Sequence, residues 1–287
     1  IALALTTFLP TAFSAGGPGE KTENPTARVF SIGIIPFYSP EQIWRLYAPF
    51  IGYLNKTTGM TWELKLYHNH DSIIDALCSG GVSVALLGPV PLGRAYNKCG
   101  AEPLVVSLGG DGKPFYRSII VAGDKTIQSL TDLRGKTFAL FKGSTAAHII
   151  PLQMLKDGGI PAEAIHPVFY ENQTSIMNAL LKHEVAAAGI KEALFEKFRG
   201  EALRVLKTSD PLPHFSFCAT QAFDSRARKA FTGVLARLKP LTNDRDRLKV
   251  QGWDDEIKNG FILPTGVYLE DVLKVHKIYR EIMHEDQ

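Results

Sequence analysis

The 287-residue chain lacks the short motifs that mark common catalytic and nucleotide-binding sites. It contains no GxGxxG, no GxxxxGK[ST] and no GxSxG, so it gives no sign of a dinucleotide site, a P-loop or a nucleophile elbow. The loops between its predicted elements also carry no paired carboxylates and no nucleophile–base set. We therefore expect a binding protein and not an enzyme, and one that uses no cofactor.

Charge of one sign and long apolar runs are also scarce. The formal net charge is only +3 and no Lys/Arg-rich run stands out, which argues against nucleic acid as a partner. Past the first residues, no segment reaches the roughly 18 apolar residues that span a membrane. The hydrophobic fraction of 45% is that of a soluble globular protein, and the length suits two domains. We expect the protein to act as a monomer.

The first residues predict export. Residues 1–9 form a short apolar run, and the small residues Ala12, Ser14 and Ala15 follow it, as near a signal-peptidase site. We interpret residues 1–15 as the remnant of a signal peptide and residues 16–27 as a flexible tether, which implies a periplasmic location. The alternative is a buried N-terminal strand or helix.

Cysteine is scarce as well. The chain has Cys78, Cys99 and Cys218 and no CxxC pair, which argues against a redox motif or a zinc knuckle. In an oxidising compartment one pair can be joined, and Cys78 with Cys99 is the more local choice. Three buried free thiols are an equally good interpretation.

What the sequence does contain is an alternation of strands and helices. The predicted strands are residues 28–35, 62–67, 82–87, 116–122, 137–141, 168–170 and 185–190. The predicted helices are residues 40–56, 71–78, 144–157, 174–182, 225–239, 244–251 and 269–284. The wholly apolar run 82–87 is typical of a strand buried on both faces of a parallel sheet. The pattern predicts a doubly wound α/β fold.

An internal repeat indicates two lobes. Segment 175–180 (SIMNAL) and the apolar run after it lie 103 residues beyond segment 72–77 (SIIDAL) and its own apolar run. We interpret the repeat as two lobes of similar βαβ construction. We assign lobe 1 to residues 28–115 plus 215–287 and lobe 2 to residues 116–214, with a hinge where the chain crosses near 112–117 and 211–214.

Ligands of open α/β sheets bind beyond the carboxyl ends of the strands. That rule selects the loops at residues 37–39, 88–89, 143–145 and 171–174. The segment Gly143-Ser144-Thr145 is the sharpest signal, because free N–H groups and the positive end of a helix favour an anion there. The competing interpretation is an ordinary N-cap, in which Ser144 serves only its own helix.

Histidine and basic residues give weaker signals. The two histidines at positions 68 and 70 are compatible with a metal site, but no HExxH-like spacing supports it, so a polar loop that caps a helix is the better interpretation. Arg117 and Lys142 are either solvated or directed at an anion, and the sequence leaves both open.

These residues resemble a known family, the phosphate/phosphite/phosphonate-binding proteins of ABC importers, which are type II periplasmic binding proteins. The matching segments are 33–36 (GIIP), 81–89 (GVSVALLGP), 116–118 (YRS), 130–139 (LTDLRGKTFA), 144–145 (ST), 252–253 (GW) and 260–261 (GF). The resemblance implies two α/β lobes with a ligand cleft between them, and a small tetrahedral oxyanion as ligand. It implies an ABC permease as partner, although some members present their ligand to a sensor histidine kinase.

The resemblance also implies roles for single residues. In the family a Ser-Thr pair grips the oxyanion, which corresponds to Ser144 and Thr145, and an aromatic near Tyr38 contacts the ligand. Together with the strand-end rule, it gives these candidate ligand-binding residues: Tyr38, Gly88, Pro89, Arg117, Ser144, Thr145, Gln173, Thr174 and His214. No metal-ligating residue is among them.

Three departures from the family pattern concern the ligand. Leu92 stands where the family usually has Tyr, Gln173 where it usually has His, and Ala186 where it usually has an acid. The ligand therefore stays open between phosphate, phosphite, a phosphonate and an arsenic oxyanion. Because the selected loops carry only one acid, Glu171, we expect inorganic oxyanions to bind better than aminoalkyl phosphonates, whose ammonium group needs a partner.

Three functions remain: a binding protein of an importer, the same module serving a sensor kinase, and a periplasmic enzyme, which the missing catalytic set disfavours.

Overall fold

The computed structural model of the protein describes residues 28–198 and 202–284. The predicted signal remnant, residues 1–15, and the predicted tether, residues 16–27, therefore lie outside the described residues. Within the described ranges, no helix is long and apolar enough to cross a membrane.

The strands and helices follow the predicted alternation. The strands are β1 (Val29–Ile34), β2 (Thr61–Leu66), β3 (Val84–Leu87), β4 (Glu102–Ser107), β5 (Phe115–Tyr116), β6 (Ser118–Ala122), β7 (Thr137–Leu140), β8 (His166–Phe169), β9 (Ala187–Lys191), β10 (Arg204–Thr208), β11 (Leu212–Pro213), β12 (Ser216–Ala219) and β13 (Phe261–Ile262). The α-helices are α1 (Pro40–Thr58), α2 (His70–Ser79), α3 (Pro89–Cys99), α4 (Ile150–Asp157), α5 (Gln173–Leu181), α6 (Glu192–Phe195), α7 (Ser225–Ala236), α8 (Asp244–Lys249) and α9 (Gly266–Met283).

Two sheets form the lobes. The first has the strand order β13-β4-β12-β3-β1-β2 and the second the order β10-β6-β9-β7-β8. In the first sheet β1 pairs in parallel with β2 and β3, and in the second β7 pairs in parallel with β8 and β9. The third strand of each set then pairs antiparallel, β3 with β12 and β9 with β6. The predicted two-lobed α/β fold is confirmed.

The sequence repeat falls on equivalent elements of the two lobes. Asn69 begins α2 and accepts a hydrogen bond from the Ser72 N–H at 2.8 Å. Asn172, 103 residues later, begins α5 and accepts one from the Ser175 N–H at 2.9 Å. The same Asn-x-x-Ser pattern therefore satisfies an orphan N–H of the first turn in both lobes.

Helix α1 shows how the first lobe is packed. Ser39 caps it by accepting a hydrogen bond from the Gln42 N–H, and Pro40 occupies the first helical position, where a missing N–H costs nothing. Its apolar side chains recur at helical spacing, and Tyr47, Phe50 and others on that face are buried against the first sheet. Each fully buried large apolar side chain contributes roughly 1.5–3 kcal/mol.

Two chain segments connect the lobes. Between the two sheets, β5 and β11 pair antiparallel, with Tyr116 opposite Leu212. The first sheet draws its strands from residues 29–107 and 216–262, and the second from residues 118–208. The lobe boundaries and the hinge assigned from the sequence remain proposals that this pairing supports.

A disulfide fixes the helix that faces the second lobe. Cys78 at the end of α2 is joined to Cys99 at the end of α3, with 5.5 Å between their Cα atoms, and Cys218 is a buried free thiol. Of the two interpretations of the cysteines, the local pair is the one the structure shows. A cross-link over a loop of this length contributes about 3 kcal/mol in the chain-entropy account.

Candidate functional site

The loop after β7 opens a helix whose first turn is irregular. Residues Thr145–Ile149 form a π-helical turn before α4, where the sequence predicted a regular helix from residue 144 onward. The Ala147 carbonyl accepts a hydrogen bond from the Phe141 N–H at 2.8 Å, because Pro151, four residues on, has no N–H to donate to it. Such π-turns are frequent at functional sites.

Ser144 and Thr145 lie buried at this helix start, 6% and 4% exposed. The Ser144 hydroxyl accepts a hydrogen bond from the Ala147 N–H at 3.2 Å, so it is an N-cap as the plainer interpretation expected. The Thr145 hydroxyl does not serve its own helix, because it accepts a hydrogen bond from the Val90 N–H of the other lobe at 2.9 Å. Apart from this cap on Ala147, the helix offers no backbone acceptor for the N–H groups of its first turn.

A second helix start faces the first across the cleft. Helix α3 begins after Gly88, which makes no side-chain cap. Pro89 and Pro91 have no N–H, so Val90 supplies the polar N–H at this helix start. A Cβ at position 88 would lie 2.9 Å from a ring carbon of Phe215, so the close packing here requires glycine.

Tyr116 brings a buried hydroxyl without a partner into the same region. The residue is 8% exposed, and its OH makes no hydrogen bond to any part of the chain that the structure describes. Burial raises the pKa of Tyr116, the neighbouring Thr145 hydroxyl lowers it less, and Glu256 raises it slightly. A buried phenol normally has a hydrogen-bond partner, so this OH marks a place where a ligand oxygen would be accommodated.

An ion pair joins the lobes beside Tyr116. The Lys191 ammonium, at the end of β9, lies 2.5 Å from a carboxylate oxygen of Glu256, and the two side chains are 6% and 12% exposed. A second interlobe pair, Lys197 with Asp255 at 2.5 Å, is 45% and 40% exposed. Because water screens buried charges less, the attraction within the first pair is stronger than within the second.

Tyr38 lies on the rim of the cleft, half-buried. Burial raises its pKa, and the nearby carboxylate of Asp254 raises it further. Asp254 itself is 1% exposed, accepts a hydrogen bond from Tyr47 at 3.2 Å, and has a pKa raised to about 6 by burial and by Glu256. Tyr38 and Lys191 both line a cavity of about 40 Å³.

The remaining candidates from the sequence have different surroundings. Gln173 is buried in the same cavity wall and accepts a hydrogen bond from the Lys191 backbone N–H at 2.9 Å, and Thr174 follows it, half-buried, in α5. The Arg117 guanidinium donates to the Ser209 carbonyl at 2.6 Å, so it braces the second lobe as well as lining the cleft mouth.

His214 is also buried, and its Nδ1 accepts a hydrogen bond from the Phe215 N–H at 2.9 Å. Burial, and to a lesser degree the charge of Lys191, lowers its pKa well below the ordinary value. His214 is therefore a neutral wall of the cleft. Among the described residues, no group of three or more His, Cys, Asp or Glu side chains could hold a metal ion.

Lys142 and two histidines lie on the outer side of the Ser144 loop. His70 donates from Nδ1 to the Lys142 carbonyl at 3.1 Å, and His148 accepts from the Gly143 N–H at 3.2 Å. Burial lowers the pKa of both histidines to about 4. They support the loop in the neutral form.

Two departures from the family pattern have a structural explanation. Leu92 is fully buried inside the first lobe, on the second turn of α3. Ala186 lies just before β9, at the opposite end of that strand from Lys191, and its N–H bonds to Thr137 at the start of β7. Ala186 therefore lies away from the cleft end of β9, and the expectation that inorganic oxyanions bind better than aminoalkyl phosphonates stays a prediction.

The sequence analysis missed Lys191, Glu256 and Tyr116. A signal for Lys191 was present, since a lysine directly follows an apolar run that was predicted as a strand, and ligands bind at strand ends. Glu256 stands in an acidic run with no such signal, because its partner is 65 residues away.

Two α/β lobes, a cleft between their strand ends and a two-segment crossing define a two-lobed type II periplasmic binding protein. The family model described as "ABC transporter, phosphonate, periplasmic substrate-binding protein" matches residues 32–259. The chain therefore belongs to this family, and the resemblance found in the sequence is confirmed.

Known proteins share sequence or fold with this chain. The phosphate-import protein PhnD of Mycolicibacterium smegmatis is 24% identical over 201 residues, which cover 64% of this chain and 63% of that protein. This chain thus spans a little under two thirds of that relative's length. The binding protein component of an ABC phosphonate transporter from Pseudomonas aeruginosa has a TM-score of 0.73 at 17% identity, covering 90% and 99% of the two chains. PhnD1 from Prochlorococcus marinus, in complex with methylphosphonate, has a TM-score of 0.76 at 13% identity, covering 89% and 98%.

Proposed function

We propose that the cleft captures a small tetrahedral oxyanion, such as phosphate, phosphite or a small phosphonate, for an ABC importer. The observation that carries this proposal is the meeting of Ser144, Thr145 and Val90 beside the unpartnered hydroxyl of Tyr116. Helix-start N–H groups and hydroxyls stabilise an anion without a counter-charge of their own. Charge-assisted hydrogen bonds of this kind contribute roughly 1.5–3 kcal/mol each.

Ligand entry requires the lobes to separate. The Val90 N–H and the Thr145 hydroxyl bond to each other across the cleft, so an oxyanion has to replace that contact. The paired segments β5 and β11 are where the chain would bend, as in hinge closure around a ligand.

The partner follows from the same family. The matched family consists of importer components, and one relative is itself an import protein. These findings favour a membrane permease as partner over a sensor histidine kinase, and binding over periplasmic catalysis. Delivery would occur at the periplasmic face of the membrane.

A thermal-shift panel tests the proposal. Methylphosphonate, phosphite, phosphate and sulfate are added to the protein, with sodium chloride of matched ionic strength as the control. A ligand at about 100 times its Kd stabilises the folded protein by roughly 2.7 kcal/mol, a shift of several degrees. We expect at least one phosphorus oxyanion to do so. A melting temperature that responds to sugars or amino acids but to no oxyanion would contradict the proposal.

A further inference from the structure

The Lys191 ammonium lies in a cage of two aromatic rings and one carboxylate. Its Nζ is 4.7 Å from the centre of the Tyr116 ring, 4.9 Å from the centre of the Phe215 ring and 2.5 Å from a Glu256 oxygen. Both lobes build the cage, since Tyr116 opens the second lobe and Glu256 belongs to the C-terminal part of the first. The lysine side chain is 6% exposed.

Aromatic faces combined with a carboxylate are a general way for proteins to bind an ammonium group. Here the group in the cage belongs to the chain itself. His214 lies against it, 3.5 Å from the Lys191 Nζ, and is neutral because it is fully buried. Glu256 is therefore the counter-charge for whatever cation occupies the cage.

Tyr116 connects the cage to the proposed oxyanion site. Its hydroxyl lies beside Thr145, and its ring covers the Lys191 ammonium. An oxyanion held at Thr145 would thus be separated from the cage by about the width of one phenol ring. A ligand with an amino group on a short carbon spacer would direct that group at Glu256.

We infer that Lys191 occupies the place where a ligand's ammonium group would otherwise bind, so that the cleft selects oxyanions without an amino group. This inference rests on the proposed function and names the ligand class within it. The sequence analysis explained the preference for ligands without an amino group by a shortage of acids in the cleft loops. Here the preference has a different cause, since the Lys191 ammonium already fills the cage beside Glu256.

The first test empties the cage without using any oxyanion. Lys191→Ala leaves a cavity beside the buried Glu256 carboxylate, and ethylammonium chloride should raise the melting temperature of this variant more than equimolar sodium chloride does. The wild type and Lys191→Ala/Glu256→Gln should show no such difference. Lys197→Ala is the matched control, since its partner Asp255 is 40% exposed and water can solvate it. No effect specific to ethylammonium in Lys191→Ala would overturn the inference.

The second test compares two ligands by calorimetry. The wild type should bind methylphosphonate more tightly than 2-aminoethylphosphonate, and Lys191→Ala should shift the ratio of the two Kd values toward the amino ligand by at least about tenfold. A wild type that prefers 2-aminoethylphosphonate would overturn the inference, even if Lys191→Ala does not fold. If neither phosphonate binds and phosphite and phosphate do not bind either, the proposed function fails, while the ethylammonium test still decides the occupancy of the cage.

Discussion

Gly88 and Lys191 hold equivalent positions in the two lobes, 103 residues apart. Gly88 directly follows β3, and Lys191 is the last residue of β9. Each is the N-cap of the next helix. Gly88 contributes no side chain, so the backbone of its helix start approaches the cleft directly, whereas Lys191 extends a cation into it. The similar fold of the two lobes therefore sets the position of these two residues, and the residue type at that position decides whether the lobe presents backbone or a charged side chain to a ligand.

One aromatic ring connects the two positions. Phe215 packs where a Cβ of Gly88 would lie, with 2.9 Å between them, and the same ring covers the Lys191 ammonium at 4.9 Å. It also stacks against Tyr116, with 5.6 Å between ring centres. A substitution at Gly88 that moves the Phe215 ring is therefore expected to disturb the packing around the Lys191 ammonium as well.

The largest effect should come from Glu256→Gln, which leaves the buried Lys191 charge without a counter-charge. Removing one partner of a buried pair costs about 3 kcal/mol or more. Lys197→Ala is the matched variant. It breaks the half-exposed pair with Asp255 and should lower the free energy of unfolding by less than about 1 kcal/mol. Urea unfolding of both variants measures the difference. Equal losses would show that burial does not distinguish the two pairs.

A smaller effect is expected from Gly88→Ala. The added methyl group would meet the Phe215 ring, and overpacking of this kind costs about 1–3 kcal/mol. Gly52 in the middle of α1 is the matched control, because a Cβ there meets no atom within 4 Å. Gly52→Ala should stabilise the protein by roughly 0.5–1 kcal/mol through helix propensity. A neutral Gly88→Ala variant would remove the packing reason for glycine at this position.

Short-range sequence signals predicted most of the helices and strands. Ser39 and Pro40 predicted the start of α1, and glycines after α1 and α2 adopt the left-handed conformation that ends a helix. The repeat predicted two similar lobes because its two matching segments, 72–77 and 175–180, and the apolar runs after them are short-range features. Helix α3 was missed, since Pro89, Pro91 and Gly93 argue against a helix unless tertiary packing holds it.

The candidate site was predicted only in part, because only some of its residues carry a short-range signal. Ser144 and Thr145 were found because a helix start is visible in the sequence, but the contact of Thr145 with Val90 depends on how the lobes meet. The cage around Lys191 combines Tyr116, Phe215 and Glu256, which lie 75, 24 and 65 positions from Lys191 in the sequence, so no local pattern shows it. The sequence left open whether Arg117 is solvated or directed at an anion, and its hydrogen bond to the Ser209 carbonyl, 92 residues away, is a contact that no local pattern predicts.

Calorimetric titration of Ser144→Ala/Thr145→Ala, with the oxyanion that stabilises the wild type best, tests the proposed oxyanion site directly. We expect a Kd at least about tenfold weaker, because two donors to the anion are lost and about 1.4 kcal/mol is a factor of ten. The ligand-free variant should unfold within about 1–2 kcal/mol of the wild type, the usual range for a lost N-cap. An unchanged Kd, with only that loss of stability, would show that Ser144 and Thr145 do not bind the ligand and that this helix start is a structural feature alone.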